Sequence, residues 1–250
     1  MTSILQKGDG ARRKSVQIVS VMLFWLGFGV GLWLALGTVW ANLEASLFDS
    51  AIRQDERLRS LRCPALITAE ETAFVRAELE NGSEKPVNFL VRANISNGFV
   101  TLKRELRATV PLEPGEAEEI SWPVTAADAA YGRFILSRVT VLRSPPYPAR
   151  DAACGIWLVH TSLLTGGQLA ALALLVSLGG LLGGLALRVW NERPFQDRRR
   201  GSFLVTVWLA VLVVVMMAAG LLRLWTVGVV LIAFSLLMVG VLLERYVSQP

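Results

Sequence analysis

The chain is poor in the residues on which most enzyme chemistry depends. It has one histidine, His160, and two cysteines, Cys63 and Cys154. A zinc site needs several such ligands at short spacings, so the sequence predicts no metal centre, and no motif indicates another cofactor. His160 stands alone near the end of a polar region, which favours an interfacial side chain over a general base. We therefore predict no catalytic residue.

Charged side chains and histidine are absent from four long apolar stretches of the chain, residues 16–40, 167–187, 203–222 and 226–243. A hydrocarbon core of about 30 Å requires about 20 apolar residues in a helix, so each stretch is typical of a membrane span. Because no ionisable residue lies inside them, they do not favour an ion or proton pathway within this chain. The predicted transmembrane helices are residues 16–40, 166–188, 203–222 and 225–243.

The basic residues that raise the isoelectric point to about 9.7 flank these stretches. The leader, residues 1–15, and the connector, residues 189–201, are basic, and the leader is predicted to be a disordered tail. Residues 41–166 contain 14 basic and 16 acidic residues, a net charge of −2. Since short basic loops stay in the cytoplasm, we expect residues 41–166 outside it and residues 244–250 inside. Arginine greatly outnumbers lysine, which is typical of bacteria, so we expect a multi-pass protein of the bacterial (inner) cell membrane that binds lipid and no nucleic acid.

The start of the outer region allows two interpretations. Val39-Trp40-Ala41 resembles a signal-peptidase site, but the apolar stretch before it is longer than the roughly 7–15 residues of a signal sequence, which favours an uncleaved anchor. Residues 41–62 contain neither glycine nor proline, and leucines recur there at roughly helical spacing. We predict that they form a helical stalk, which Pro64 ends.

The hydrophobic period changes to two beyond Leu66. Apolar and polar residues alternate in Thr72–Glu80 and Val87–Ile95, and Asn97-Gly98 is a strong hairpin signal. The other predicted strands are Phe99–Val110, Glu119–Val124, Arg133–Leu142 and Gly155–Val159. Short strands of this kind in about 100 residues predict an antiparallel β-sandwich over residues 63–160. The predicted fold class is a membrane protein of α plus β type, with four transmembrane helices and this inserted extracytoplasmic sandwich.

Three segments of this region resemble bacterial immunoglobulin-like domains of the CARDB type. They are FVRAELENGSEKPVNFLVRANIS, VPLEPGEAEEISWPV and AYGRFILSRVTV, with the turn Leu112-Glu113-Pro114-Gly115-Glu116 and the approach Tyr131-Gly132. The resemblance covers about a third of the chain. It implies an Ig-like sandwich with a binding or scaffolding role and implies no enzymatic activity.

Cys63 and Cys154 bracket the predicted sandwich and lie on the side of the membrane that is oxidising in most bacteria. This favours a disulfide that clamps the ends of the domain. Two free thiols are the alternative, because sequence alone does not give the distance between the two residues.

Glycines recur four residues apart in two of the predicted spans. In lipid, such spacing lets helix backbones approach closely. The alternative, a phosphate-binding loop, lacks the lysine and the serine or threonine that would follow it. The glycines predicted to pack helices together are Gly27, Gly31, Gly179, Gly180, Gly183 and Gly184.

Arginines of the second span's end and the connector have two possible roles. They either set the topology or bind anionic lipid headgroups, each worth about 1 kcal/mol near a membrane surface. The residues concerned are Arg188, Arg193, Arg198, Arg199 and Arg200. Ser144-Pro145-Pro146-Tyr147-Pro148 is likewise either a recognition loop or a plain strand connection.

A binding fold, packing-type helices and the lack of a reactive constellation together favour a non-enzymatic envelope protein. We expect an accessory, scaffolding or assembly subunit whose outer sandwich binds a protein partner in the membrane or envelope. A transport-associated permease component is the first alternative, and an enzyme acting on envelope lipid or polymer is the second.

Overall fold

The computed structural model of the chain describes residues 2–50, 56–143, 148–191 and 197–247. Side chains are described for residues 15–50, 56–143, 148–191 and 203–240. The predicted loop at 144–147 and Arg193 of the connector lie outside the described residues.

The chain divides into two units, which are described separately. The helical unit comprises Met1–Leu36, Ala171–Leu222 and Thr226–Pro250. The β unit comprises Gly37–Ala170 and Arg223–Trp225.

Four helices account for the apolar stretches of the sequence. They are α1 (Thr2–Leu47), α2 (Gly166–Asn191), α3 (Asp197–Leu221) and α4 (Trp225–Val247). Over the described side chains, three are long and apolar enough to cross a membrane, namely Ser15–Leu47 in α1, Gly166–Asn191 and Phe203–Leu221 in α3. The apolar part of α4 is shorter over those residues, Trp225–Gly240, so the fourth span stays a prediction.

The first helix begins earlier and the region after it is less helical than the sequence predicts. The expected disordered tail is helical from Thr2, because a helix nucleated in the apolar stretch extends at little cost where no proline intervenes. The stalk prediction for 41–62 holds only to Leu47, where α1 ends. Glu56–Arg57 is a short strand instead, because its backbone pairs with a neighbouring strand in the β unit.

The described residues of the β unit form eight strands. They are β1 (Glu56–Arg57), β2 (Leu66–Thr68), β3 (Ala73–Glu80), β4 (Val87–Asn97), β5 (Phe99–Leu112), β6 (Ala117–Val124), β7 (Phe134–Leu142) and β8 (Arg150–Val159). Each of the six predicted strands is present, with its bounds moved by a few residues at most except in β8, which starts five residues earlier than predicted.

The strands form a six-stranded sheet and a two-stranded sheet. The larger has the order β1-β8-β7-β4-β5, with β2 also paired to β8, and the smaller joins β3 to β6. The prediction of a purely antiparallel arrangement is wrong, because β1 and β2 both run parallel to β8. They pair with opposite ends of β8, at Arg150–Asp151 and at Trp157–Val159, so both short strands pair with the same long strand.

The two sheets enclose one hydrophobic core. Every second residue of β3 is buried, and the same alternation buries Phe89, Val91 and Ala93 of β4. Trp122 and Val124 of β6 close the core from the smaller sheet. Pro123 lies between them on a strand that pairs only with β3 within the described residues, as expected of a residue that cannot donate a hydrogen bond to a second neighbouring strand.

The predicted disulfide is present between Cys63 and Cys154, with a Cα–Cα distance of 6.6 Å. Arg62 exchanges two backbone hydrogen bonds with Arg76 of β3, at 2.7 and 2.8 Å. Cys154 is fully buried in β8. Residues 62 and 63 therefore connect the smaller sheet to the larger one.

Candidate functional site

The glycines of the helical unit form a close contact between α1 and α2. A Cβ atom on Gly27 would lie 2.7 Å from the Ser177 carbonyl oxygen, and one on Gly180 would lie 2.7 Å from the Gly27 Cα. A Cβ on Gly31 would overlap the Ser177 hydroxyl and lie 2.6 Å from Val213 of α3. These positions have no room for a larger residue, as backbone-to-backbone packing requires.

The second glycine pair of α2 extends this contact, with one exception. Cβ atoms on Gly183 and Gly184 would lie 2.9 Å from Leu23 and Phe24 of α1, respectively. No atom of the described residues lies within 4 Å of the Cβ position of Gly179, which lies about 100° around the helix from Gly180. The packing role of Gly179 therefore stays a prediction.

The predicted arginines fall at the connector end of α2 and the start of α3. The Arg188 guanidinium donates to the Thr206 hydroxyl at 3.1 Å. Arg198, Arg199 and Arg200 lie in the first turns of α3, and their side chains are outside the described part of the chain.

In the β unit, the end of α1 lies directly on the six-stranded sheet. A Cβ atom on Gly155 of β8 would overlap the Ala41 carbonyl, and one on Gly37 would overlap the Trp157 ring. The Gly155 amide donates to the Asn42 side-chain oxygen at 3.4 Å, and Asn42 is buried. Two glycines thus let helix and sheet backbones approach closely, which a side chain at either position would prevent.

We expect Gly155→Ala to weaken the contact between α1 and the sheet. The added methyl group would overlap backbone atoms of Ala41, which cannot move aside as a flexible side chain can. Overpacking of this kind costs about 1–3 kcal/mol. Hydrogen exchange of residues 37–48 should become faster. The matched control is Gly82→Ala, whose Cβ would meet open space. Equal exchange in the two variants would contradict the close contact.

A buried ion pair fastens the sheet to the last turn of α1. Arg138 donates through Nε to Asp151 at 2.9 Å and through Nη1 to the Phe48 carbonyl at 2.6 Å. Thr140 donates to the other Asp151 oxygen at 2.9 Å. The side chains of Arg138 and Asp151 are each 1% exposed. Arg138 therefore satisfies a carbonyl that the end of the helix leaves without an intrahelical partner.

A second polar cluster holds the residue that follows Phe48. Asp49 has a left-handed backbone, φ 50°, and its carboxylate accepts hydrogen bonds from Asn94 and, at 2.8 Å, from Lys103. Burial alone would raise the pKa of the Asp49 carboxyl. The hydrogen bonds from Lys103 and Asn94 and the charges of Lys103 and Arg92 outweigh it, so the pKa lies below its usual 3.8. The cluster therefore keeps Asp49 ionised and the chain turn in place.

Arg223, in the connection between α3 and α4, belongs to the same unit. Its guanidinium donates to the carbonyl oxygens of Leu61 at 2.8 Å and Cys63 at 3.2 Å. Burial, with a smaller contribution from the charge of Arg57, lowers the pKa of the Arg223 guanidinium from its usual value. The sequence indicates only a short hairpin loop here and does not reveal this role.

The outer edge of the six-stranded sheet is the long strand β5. It pairs with β4 on one side only, and within the described residues no strand pairs with its other side. Leu102 is exposed on it, beside Lys103 and Arg104. An edge of 14 residues leaves a row of backbone donors and acceptors available to an extended chain.

An exposed aromatic pair lies at the start of this edge. The rings of Phe99 and Tyr131 meet edge to face with centroids 6.0 Å apart, and the residues are 56% and 63% exposed. Tyr131 has a left-handed backbone, φ 52°, and its amide donates to the Gly98 carbonyl at 2.9 Å. The turns at Gly98 and at Tyr131 thus keep two large aromatic rings exposed to solvent. We name Phe99, Leu102, Tyr131 and the free side of β5 the edge surface.

The candidates for enzyme chemistry are spread over the surface of the β unit. His160 is exposed just after β8. An open polar cleft brings Glu78 and Glu80 near Glu56, a grouping that the sequence did not reveal. Arginines share this cleft, and Arg150 pairs with Glu56 at 3.2 Å, so it is a surface of mixed charge.

No protein-family model and no curated protein matches this chain. Solved structures similar to part of it include a β-glucuronidase of Bacteroides uniformis, with 15% identity over 38% of this chain and 12% of that one, at a TM-score of 0.30. A β-glucosidase of Listeria innocua in complex with glucose has 16% identity over 41% of this chain and 16% of that one, at a TM-score of 0.29.

A third similar structure is the CsuC–CsuE chaperone–tip adhesion subunit pre-assembly complex of Acinetobacter baumannii. It has 16% identity over 42% of this chain and 60% of that one, at a TM-score of 0.26. The chain thus spans about an eighth of the first of these proteins, and all three TM-scores are too low to support an argument about fold or function.

Proposed function

We propose that this chain is a non-enzymatic protein of the bacterial cell envelope that binds a protein partner through the edge surface of its β unit. It acts as an accessory, scaffolding or assembly subunit in the inner membrane. The basic leader and connector support cytoplasmic termini, and the disulfide supports an extracytoplasmic β unit. Two sheets around one core are compatible with the Ig-like fold that the CARDB resemblance implies.

The observation that carries the proposal is the exposed Phe99–Tyr131 pair beside the free side of β5. Aromatic side chains dominate the energetics of protein interfaces, and an edge strand adds main-chain hydrogen bonds to an extended partner. Most apolar side chains of the smaller sheet and of β4 turn inward to the core instead. A large exposed aromatic pair held by two turns is therefore typical of a recognition surface.

The proposed partner is an extended segment of a different protein, because β5 carries Lys103, Arg104 and Arg107 against Glu105 alone and a second copy would bring the same excess of positive charge. Antiparallel pairing of two copies centred on Glu105 would set Lys103 opposite Arg107 and Glu105 opposite its own copy. Like charges directly opposite each other on neighbouring strands are destabilising. Transient pairing with a foreign strand of mixed or acidic character avoids this repulsion.

We expect the double variant Phe99→Ala/Tyr131→Ala to lose its partner when the tagged protein is isolated from native membranes in mild detergent. Truncating an aromatic hot spot costs about 2 kcal/mol or more, so partner recovery should fall at least about tenfold. Phe74→Ala is the matched control, because Phe74 is an exposed aromatic residue of the smaller sheet. Recovery of a permease as partner would favour the transport-associated alternative.

Two outcomes would contradict the proposal. One is a wild-type protein that runs as a lone monomer or homo-oligomer in several detergents. The other is a partner that the double variant retains as fully as the Phe74→Ala control.

A further inference from the structure

The helical unit contains a small cavity at the connector end of three helices. It has a volume of about 80 Å³, which is room for a few water molecules. The cavity therefore fits a small polar group and is too small for a whole lipid or a large metabolite. Its lining comes from Ser20, Val21, Phe24 and Trp25 of α1, Gly184, Leu185 and Arg188 of α2, and Thr206 and Leu209 of α3.

The glycine contact between α1 and α2 positions this cavity. Gly184 has no side chain, so the Ser20 hydroxyl reaches the Gly184 carbonyl and donates to it at 2.7 Å. Phe24 and Leu209 are buried and add apolar lining. The hydroxyl groups of Ser20 and Thr206 and the Arg188 guanidinium therefore line an otherwise largely apolar space.

The polar groups of the cavity match a phosphate oxyanion. Arg188 donates to Thr206 at 3.1 Å, so the guanidinium and the hydroxyl lie side by side. A guanidinium presents five N–H donors in a fixed fork, and its hydrogen bonds to phosphate oxygens are strengthened by charge. Arginine is preferred over lysine for such planar recognition.

The depth of the cavity matches a lipid phosphate. Arg188 directly follows the uncharged stretch 167–187, and the exposed Trp190 lies half a turn beyond it, as expected at a membrane interface. Val21 and Trp25 on the cavity wall are also exposed, which provides an apolar surface along which an acyl chain can lie. An inorganic phosphate ion would make no use of this surface.

We propose that the cavity bounded by Arg188, Thr206 and Ser20 binds the phosphate group of an anionic phospholipid from the cytoplasmic leaflet. The net positive charge of the connector favours an anionic headgroup over a zwitterionic one. This site is independent of the edge surface and of its partner.

The test is the binding of phosphatidylglycerol to the purified full chain in detergent, measured by native mass spectrometry against phosphatidylcholine. Arg188→Gln should weaken phosphatidylglycerol binding about tenfold, as the loss of hydrogen bonds to a charged group implies. Arg193→Gln, which removes the same charge from the connector, should change it less than about threefold. Arg188→Lys should fall between wild type and Arg188→Gln.

Other results would overturn the proposal or its assignment to a lipid. Equal binding of the two lipids to wild type, or an equal loss in the Arg188 and Arg193 variants, would overturn the proposal in favour of diffuse charge attraction. If millimolar inorganic phosphate raises the Tm of wild type but not of Arg188→Gln, while phosphatidylglycerol has no effect, the site takes phosphate but the lipid assignment is overturned. Should Arg188→Gln fail to fold, Thr206→Val must weaken binding for the proposal to stand.

Discussion

Arg138→Ala is expected to lower the free energy of unfolding of the β unit by about 3–5 kcal/mol, the cost of leaving a buried charge without its partner. Asp151 is 1% exposed and would keep only the hydroxyl of Thr140 as a donor among the hydrogen bonds described above. The Phe48 carbonyl would also lose its hydrogen bond from Arg138. The variant should therefore loosen both the sheet and the end of α1.

Hydrogen exchange on the full chain in detergent measures this effect, because slow amides of β4 and β7 report the opening of the β unit. Two control variants separate the charge effect from a general loss of contacts. Arg62→Ala breaks an exposed pair with Glu78 at 3.9 Å and should cost less than about 1 kcal/mol. Arg138→Met/Asp151→Leu removes both buried charges and should cost less than Arg138→Ala, because only the hydrogen bonds of the Phe48 carbonyl and the Thr140 hydroxyl are then lost. If the single variant were as stable as Arg62→Ala, the ion pair would not stabilise the fold.

Removal of the disulfide by Cys63→Ala is expected to lower the free energy of unfolding of the β unit by a similar amount, about 4–5 kcal/mol. The bond closes a loop with a sequence separation of 91, and cross-links of such length restrict the unfolded chain strongly. It also joins the residue next to the Arg62–Arg76 bridge of the smaller sheet to the core of the larger one. We therefore expect the two sheets to separate more readily.

Cys63 is the better position for this test, because Cys154 lies in the core and its replacement would also create a cavity. Wild-type protein with its disulfide reduced is the second sample. Its free energy of unfolding should match that of Cys63→Ala within about 1 kcal/mol. Thiol labelling of Cys154 in the variant should follow the opening of the β unit. If the free energy of unfolding fell by less than about 1 kcal/mol in both the variant and the reduced wild type, the cross-link would add little to the other contacts between the sheets.

The end of α1, from Gly37 onward, belongs to the β unit. It contacts the six-stranded sheet through Ala41, Asn42 and Phe48. Gly155 and Gly37 permit that contact, and Arg138 donates a hydrogen bond to the Phe48 carbonyl.

Local pattern predicted most of the β unit because its core strands have one buried face. In β3, the buried and exposed residues alternate without exception, so a period of two was enough to locate it. The hairpin between β4 and β5 followed from Asn97-Gly98, where Gly98 has φ 72°. Bracketing by the two cysteines likewise predicted their bond.

The same pattern failed where both faces of a strand are covered. β7 is buried along nearly its whole length, and its polar residues Arg138 and Thr140, which share one face of the strand, look like a solvent face in the sequence. The face that they occupy is covered by the end of α1, and Arg138 is buried on it. No local signal distinguishes a solvated arginine from a buried one whose partners are 13 and 90 residues away.

Alternation and apolar length by themselves determined the helices long enough for a membrane and the main strands, and the positions of the two cysteines favoured the disulfide. These are properties of neighbouring residues, and burial of one face or immersion in lipid selects for them directly. Only the tertiary structure decided the parallel pairing of β1 and β2, the buried Arg138–Asp151 pair, the edge surface and the cavity at Arg188. Each of these depends on which distant backbones meet, because hydrogen-bond partners and burial are set by the fold and not by the period of the sequence.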